Sequence, residues 1–292
     1  MYYNKGYLHS MPAGRYKPRP AVSYWYQERI GPWPGRGNAM KNKTVGIIGG
    51  VGPMATVYFM ELVIQMTEAA RDQDHIDMIV LNHATIPDRT SFILGGSAED
   101  PLPVMIEDAK KLEQAGADFV VIPCNTAHYF FREIQNSIRI PMLNIVEETV
   151  SYAKETVPGL KKLGILATSG TIGSKTYQLA CQGQGIACVT PDKAGQEAVM
   201  RIIYDQVKAG REVDIAAFYY LVESLKERGC QAVVLGCTEL SVVRRDFHIR
   251  QREIIDSLEV LARQTVLGCG KRLKKPETEQ APVKAFTVSL NG

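Results

Sequence analysis

The sequence predicts an α/β fold: two pseudo-symmetric domains, each a parallel β-sheet flanked by helices, with a cleft between them. Three observations predict it. First, short β-branched apolar runs alternate with helical patterns from Met40 onward, as in parallel sheets covered by helices on both faces. Second, AGADFVVIPCNTAH at 115–128 returns as RGCQAVVLGCTEL at 228–240. Gly116 falls on Gly229, Val120-Val121 on Val233-Val234 and Cys124 on Cys237, a constant offset of 113 residues. Third, KTVGIIGGVGPM at 43–54 returns as KKLGILATSGTI at 161–172, with Gly46 over Gly164 at an offset of 118.

Strand-like runs are Thr44–Ile48, Ile76–Leu81, Asp118–Ile122, Met142–Ile145, Lys162–Ala167, Ile186–Thr190 and Gln231–Leu235. Each is short, apolar and rich in branched side chains. Helical patterns lie between them, near Ala55–Ala70, Pro101–Ala115, Ala127–Ser137, Val146–Thr156, Ser174–Gln182, Gln196–Ala209, Asp214–Arg228 and Arg252–Leu267. Pro158-Gly159 breaks a helix and marks the domain boundary. Residues 40–150 plus 252–271 form the first domain, because the last long helix follows the completed second half and is expected to pack back on the first. Residues 151–251 form the second. Residues 272–292 are a charged tail, expected to fray.

Residues 1–39 hold both tryptophans, six tyrosines, five prolines and five glycines without helical or strand period. They read as an N-terminal extension outside the fold, flexible or tag-like. They carry six Lys/Arg and one acid, a net of +5, which leaves −2 for the rest of a chain totalling +3. A body so near neutrality makes no case for nucleic-acid binding. Apolar residues are 45% of the chain and charged residues 22%, a globular balance. With no apolar run of membrane length and no signal-like h-region, a cytoplasmic protein without membrane partners is expected. The six cysteines match neither a zinc ribbon nor a disulfide scaffold, so free thiols and no metal are expected.

Ligands in open α/β sheets bind beyond the carboxyl ends of the strands. Cys124 and Cys237 each end such a strand, so two facing domains would set two thiols on opposite walls of one cleft. A polar turn into a helix follows each, and a helix N-terminus lowers a thiol pKa from about 8.5 toward neutrality. A thiolate and an opposed thiol then serve as base and acid. Cys181, Cys188, Cys230 and Cys269 lack that setting and read as core or surface. The loop from Gly49 to Pro53 has the wrong spacing for a dinucleotide fingerprint, and no acid follows Leu81-Asn82-His83 to hold a ribose. The amides near Gly50 and Gly52 suit a small anion, or the loop is a tight turn. Arg89 could grip a carboxylate with two parallel bonds, or be a solvated loop residue. Asn125, Thr126, Thr168, Thr171 and Thr238 are small donors that suit an amino-acid headgroup, though each is also a candidate helix cap. Glu239 could tune Cys237, bind an ammonium, or simply favour a helix start. His83 and His128 read as structural.

GGVGPMAT at 49–56, NHATIPDRT at 82–90, PCNTAH at 123–128, ATSGT at 167–171 and GCTEL at 236–240 together resemble the aspartate/glutamate racemase family, its aspartate racemase branch above all. The resemblance spans nearly all of residues 43–250. The Asp-Ser-Gly segment and GCTHFP-like motif usual in glutamate racemases are absent. It implies a cofactor-independent racemase with Cys124 and Cys237 as its two catalytic thiols, acting on a small acidic amino acid, most simply aspartate, and commonly a homodimer. It implies that Arg89 contacts the distal carboxylate with Lys208 assisting, and that Asn125, Thr126, Thr168 and Thr238 hold the α-carboxylate and amino group. Other readings are a glutamate or broad-specificity racemase, a one-cysteine isomerase or decarboxylase, and an acidic-ligand binding protein without turnover. The extension 1–39 has no counterpart in the family pattern.

Overall fold

Five residues, VGIIG, make the first strand, β1 (Val45–Gly49), and every one is buried, as a central strand with both faces covered requires. The structure, a computed structural model, describes residues 42–275. The extension 1–39 and the tail beyond residue 275 lie outside them. In the first sheet β1 runs parallel between β2 (Met78–Asn82) and β3 (Phe119–Val121), in the order β2-β1-β3. The second sheet repeats this. β4 (Lys162–Leu166) runs parallel between β5 (Ala187–Val189) and β6 (Ala232–Leu235), and β7 (Ile254–Asp256) joins at the β6 edge. β4 therefore stands where β1 does, and β6 where β3 does, as the repeat predicts. Even β7 has an echo, since Met142 bridges Val120 in parallel.

The helices of the first half are α1 (Pro53–Met66), α2 (Arg89–Ile93), α3 (Leu102–Gln114), α4 (Phe131–Ser137) and α5 (Ile145–Thr156). Those of the second are α6 (Ser169–Gly173), α7 (Thr176–Gly183), α8 (Lys193–Met200), α9 (Ile215–Glu227), α10 (Thr238–Asp246) and α11 (Ser257–Gly268). Pro53 at the first position of α1 needs no donated hydrogen bond there. The Asp88, Asn144, Asp192, Asp214 and Asp256 side chains cap α2, α5, α8, α9 and α11.

Alternation along the strands sorts the core into three. Val45, Ile47, Phe119 and Val121 from the first sheet meet Leu163, Ile165, Ala232 and Val234 from the second in one shared cluster with α1, α5, α7 and α11. The opposite faces pack separately: Ile48, Val120 and Ile122 against α3 and α4, and Val233 and Leu235 against α9 and α10. The echoed glycines have a common reason. A Cβ at Gly46 would lie 3.0 Å from Leu112, and one at Gly164 would lie 3.0 Å from Leu225, so each lets a covering helix approach its sheet.

Four expectations change. Met142–Ile145 contributes one bridge rather than a strand, because the Asn144 side chain accepts from the Val146 and Glu147 amides and turns the chain into α5. Arg252–Leu267 is not one helix. Residues 254–256 extend the second sheet, and Asp256 then caps α11, which packs on α1 and α5. The stretch Gln196–Ala209 is α8 followed by a π-helical turn, Arg201–Val207, closed by Lys208 N–H to Ile203 O at 3.0 Å. In the tail, Arg272 and Lys274 pair with Glu68 and Met66 through their backbones, so its first residues are anchored instead of frayed. Among the described residues no helix is long and apolar enough to cross a membrane.

Candidate active site

Cys124 follows β3 and Cys237 follows β6, and both line one cleft at the carboxyl ends of the two sheets. The cleft has about 280 Å³ of empty space, its solvent-facing mouth included. Its walls also carry Val51, Asp88, Arg89, Thr90, Asn125, Thr126, Thr168, Tyr204, Lys208, Thr238 and Glu239. Nine residues singled out from the sequence thus converge: Arg89, Cys124, Asn125, Thr126, Thr168, Lys208, Cys237, Thr238 and Glu239. Gly50, Gly52 and Thr171 stand behind the walls.

Cys124 is held by its own carbonyl. His128, four residues on in a 3₁₀ turn, places Nδ1 2.8 Å from Cys124 O, and its Nε2 accepts from the Ile145 amide at 3.2 Å. Burial pushes the His128 pKa down to about 4, although the carbonyls of Cys124 and Leu143 favour the charged form. A neutral ring with Nδ1–H donating and Nε2 accepting fits both contacts. His128 is structural, as the sequence reading has it, but it bears on the cysteine loop.

Cys237 is the backbone N-cap of α10, the position from which a lowered thiol pKa was expected. The structure reverses that expectation. Burial pushes the Cys237 pKa well above the ordinary thiol value, the Glu239 carboxylate adds to the rise, and Lys208 opposes it. The Cys237 thiol donates to Glu239 Oε2 at 2.9 Å. Desolvation and a like charge at contact outweigh the helix terminus. Cys237 is therefore held as a thiol, its S–H directed at the Glu239 carboxylate.

Lys208 Nζ lies 3.8 Å from Glu239 Oε1 and 4.2 Å from the centre of the Tyr204 ring. Burial draws its pKa down, but the Glu239 charge and then Tyr204 more than restore it, so Lys208 is a cation. Arg89 lines the same cleft and is 8% exposed. Its Nη1 donates to the carbonyls of Ile86 and Pro87 at 3.2 and 3.1 Å, and its Nε is buried with no hydrogen-bond partner among the described residues. Neighbouring Asp88 accepts from the Ser91 amide and the Tyr204 hydroxyl at 2.7 and 3.3 Å. A buried guanidinium that lines the cleft and has a nitrogen without a partner among the described residues is a candidate group for an anion.

Three threonine hydroxyls, Thr126 from the first half and Thr168 and Thr171 from the second, lie 2.9–3.1 Å apart in a triangle. Thr168 also caps α6. Asn125 departs from its expected role, since both ends of its amide are bonded within the protein, to Ser257 and to Tyr177. Gly50 departs too. Its amide donates to Thr56 Oγ1 at 3.0 Å, and at φ +82° a Cβ there would meet the His83 backbone at 2.3 Å. Its lack of a side chain serves a tight turn against the end of β2, not an anion. Gly52 leaves room for Glu239, whose Oε1 would lie 3.1 Å from a Cβ. Among the described residues no cluster of His, Cys, Asp and Glu has the makings of a metal site.

The sequence reading passed over Val51, Asp88, Thr90 and Tyr204. Asp88 and Thr90 sit inside the quoted segment NHATIPDRT and were there to be found. Tyr204 carries no local signal. Only the π turn preceding Lys208 brings it to the cleft.

The model of the Asp/Glu/hydantoin racemase family matches residues 48–265. The broad specificity amino-acid racemase of Bacillus subtilis (strain 168) is 32% identical over 229 residues, 76% of this chain and 96% of that one. Among solved structures, the Picrophilus torridus aspartate racemase superposes with a TM-score of 0.67 at 35% identity, covering 80% of this chain and 96% of that one. An aspartate racemase homologue from Pyrococcus horikoshii OT3 gives 0.63 at 26% identity, covering 78% and 100%. The paired thiols at the ends of repeated strands, the match along nearly the whole described chain and the shared fold lead to one conclusion: the chain belongs to the Asp/Glu/hydantoin racemase family and is an isomerase.

Proposed function

We propose that the chain racemises aspartate by a two-thiol proton transfer that uses no pyridoxal phosphate. One observation carries the reading: Cys124 and Cys237, one from each half, line the same cleft as a buried guanidinium with an unpartnered nitrogen. One cysteine, as thiolate, takes the α-proton from one face; an S–H bond forms, the C–H bond breaks and its electron pair stays on the substrate. The other cysteine, as thiol, gives its proton to the opposite face and is left as thiolate. When Cys237 is the base, it starts as the thiolate that proton delivery in the opposite direction leaves behind, with the Lys208 cation nearby to favour that charge. The reverse reaction exchanges the roles.

The carbanion is the hard species. The cleft favours it by preorganised donors and by keeping water out. Lys208, the Thr126 and Thr168 hydroxyls and the backbone at Asn125 and Thr238 are the groups at hand for the α-carboxylate and amino group. Arg89 takes the distal carboxylate. We further propose that the working form is a homodimer, on the strength of the family resemblance; a monomer by light scattering at assay concentration would overturn that.

The test is incubation of L-aspartate and of D-aspartate in deuterium oxide, scoring chirality and α-label together. Inversion with label from both enantiomers is expected, and Cys124→Ala and Cys237→Ala should each abolish inversion. Inversion retained in either variant refutes the assignment. A second reading, a wider substrate range, is favoured by the cleft walls carrying two acids, Asp88 and Glu239, as well as two bases, Arg89 and Lys208. The same assay across neutral and basic amino acids separates the two.

A further inference from the structure

Two residues outside the cleft grip Asn125, the neighbour of Cys124, and tie it to the strand end that carries Cys237. Ser257 opens α11, and its hydroxyl does two things. It accepts from Asn125 Nδ2 at 2.9 Å and donates to Leu235 O at 2.7 Å, two residues before Cys237. Tyr177, on α7, spans the same gap differently. Its hydroxyl donates to Asn125 Oδ1 at 2.7 Å, while its ring lies against Gly236, where a Cβ would come within 3.0 Å of Cε2. All three side chains are buried, with Asn125 2% exposed and Ser257 and Tyr177 fully enclosed. Donor and acceptor roles run one way through the set, which fixes the Asn125 amide in a single orientation.

We infer that Ser257 and Tyr177 are positioning residues that set the spacing between the two thiols, and so govern transfer across the two faces of the α-carbon more than transfer on one face. The inference rests on the two-thiol reading above. Neither residue lines the cleft, so neither touches the substrate itself. If the Cys124 and Cys237 loops drift apart, one thiolate still removes the α-proton, but the far thiol is late in delivering its own. The first cysteine, after exchanging its proton with solvent, then returns a deuteron to the face it came from. Label enters without inversion.

Ser257→Ala and Tyr177→Phe in the full chain test this with aspartate in deuterium oxide. In each folded variant kcat for inversion should fall about 10- to 100-fold, the scale of a misplacement near 1 Å. KM should change less than about threefold, and the ratio of label-without-inversion to inversion should rise at least about tenfold. A folded variant with an unchanged ratio overturns the inference, whatever happens to its overall rate, because a merely structural role lowers both processes together. Should Ser257→Ala fail to fold, Tyr177→Phe, which removes a single oxygen, decides alone. A wild-type chain that neither inverts nor exchanges sinks the two-thiol reading and this inference with it. A wild-type chain that inverts, with variants that keep its ratio, sinks this inference only.

Discussion

Replacing Arg89 by alanine should cost activity on aspartate and leave activity on alanine almost untouched. The side chain is buried at the cleft wall, Nη1 is engaged by two carbonyls, and Nε has no partner. A distal carboxylate would complete that nitrogen and share the fork. Charge-assisted hydrogen bonds are worth about 1.5–3 kcal/mol each. Two of them give about 3–4 kcal/mol after allowing for Lys208 as a second cation, or a loss of about 10²- to 10³-fold in kcat/KM. Alanine has no distal carboxylate and makes neither bond, so its kcat/KM should change by less than about threefold. The assay is racemisation of both substrates by polarimetry or chiral chromatography on wild type and Arg89→Ala, with urea midpoints to register the lost caps on the Ile86 and Pro87 carbonyls. Equal losses on the two substrates would show that Arg89 supports the loop rather than reading the side chain, and the distal-carboxylate assignment would be wrong.

Two further outcomes follow from the charges around each sulfur. In a Cys124→Ala background, Glu239→Gln removes the carboxylate that helps hold Cys237 protonated and leaves Lys208 uncompensated. The midpoint for alkylation of Cys237 by iodoacetamide should move to lower pH; an unmoved midpoint or a rise contradicts the geometry. His128, with a pKa held down to about 4 from 6.5 by burial, binds its proton more readily in the unfolded chain. Its contribution to stability is whole above pH 6.5 and is lost as pH falls from 6.5 to 4, amounting to about 3 kcal/mol. His128→Gln should flatten that part of the stability-against-pH curve, measured by urea unfolding at successive pH values.

The sequence carried the duplication and both cysteines because parallel strands buried on two faces write themselves as continuous branched apolar runs. Copying one half onto the other then aligns Cys124 with Cys237. It carried Arg89 and Glu239 because each is adjacent in sequence to a strand end or to a cysteine. It did not carry β7, whose three residues precede an apolar helical pattern and merge with it. With β7 unseen, Ser257 read as mid-helix and its contact with Asn125, 132 residues earlier, had no trace in the chain. The Cys237 pKa was misjudged for a related reason. The helix terminus is local and legible, whereas desolvation is set by packing from both halves. Tyr204 reaches the cleft only through a π turn, a departure of one residue from helical spacing that periodicity does not reveal.

The fold is nearly two-fold symmetric, yet the two sulfurs stand in unlike surroundings. Cys124 hangs from a carbonyl held by His128, whereas Cys237 faces a carboxylate and an ammonium. Such asymmetry cannot favour one enantiomer. Mirror-image substrates free in water have equal free energy, so the equilibrium constant is one and kcat/KM must be the same in both directions. The unlike sulfurs can only divide that shared quotient differently, giving one enantiomer a higher kcat and a proportionally higher KM. Full progress curves from L- and D-aspartate should therefore give unequal kcat values with matching kcat/KM, and Glu239→Gln should change the kcat ratio while the kcat/KM ratio stays at one. A kcat/KM ratio departing from one in wild type would mean that substrate is being consumed by another route, and simple inversion between two thiols would no longer describe the reaction.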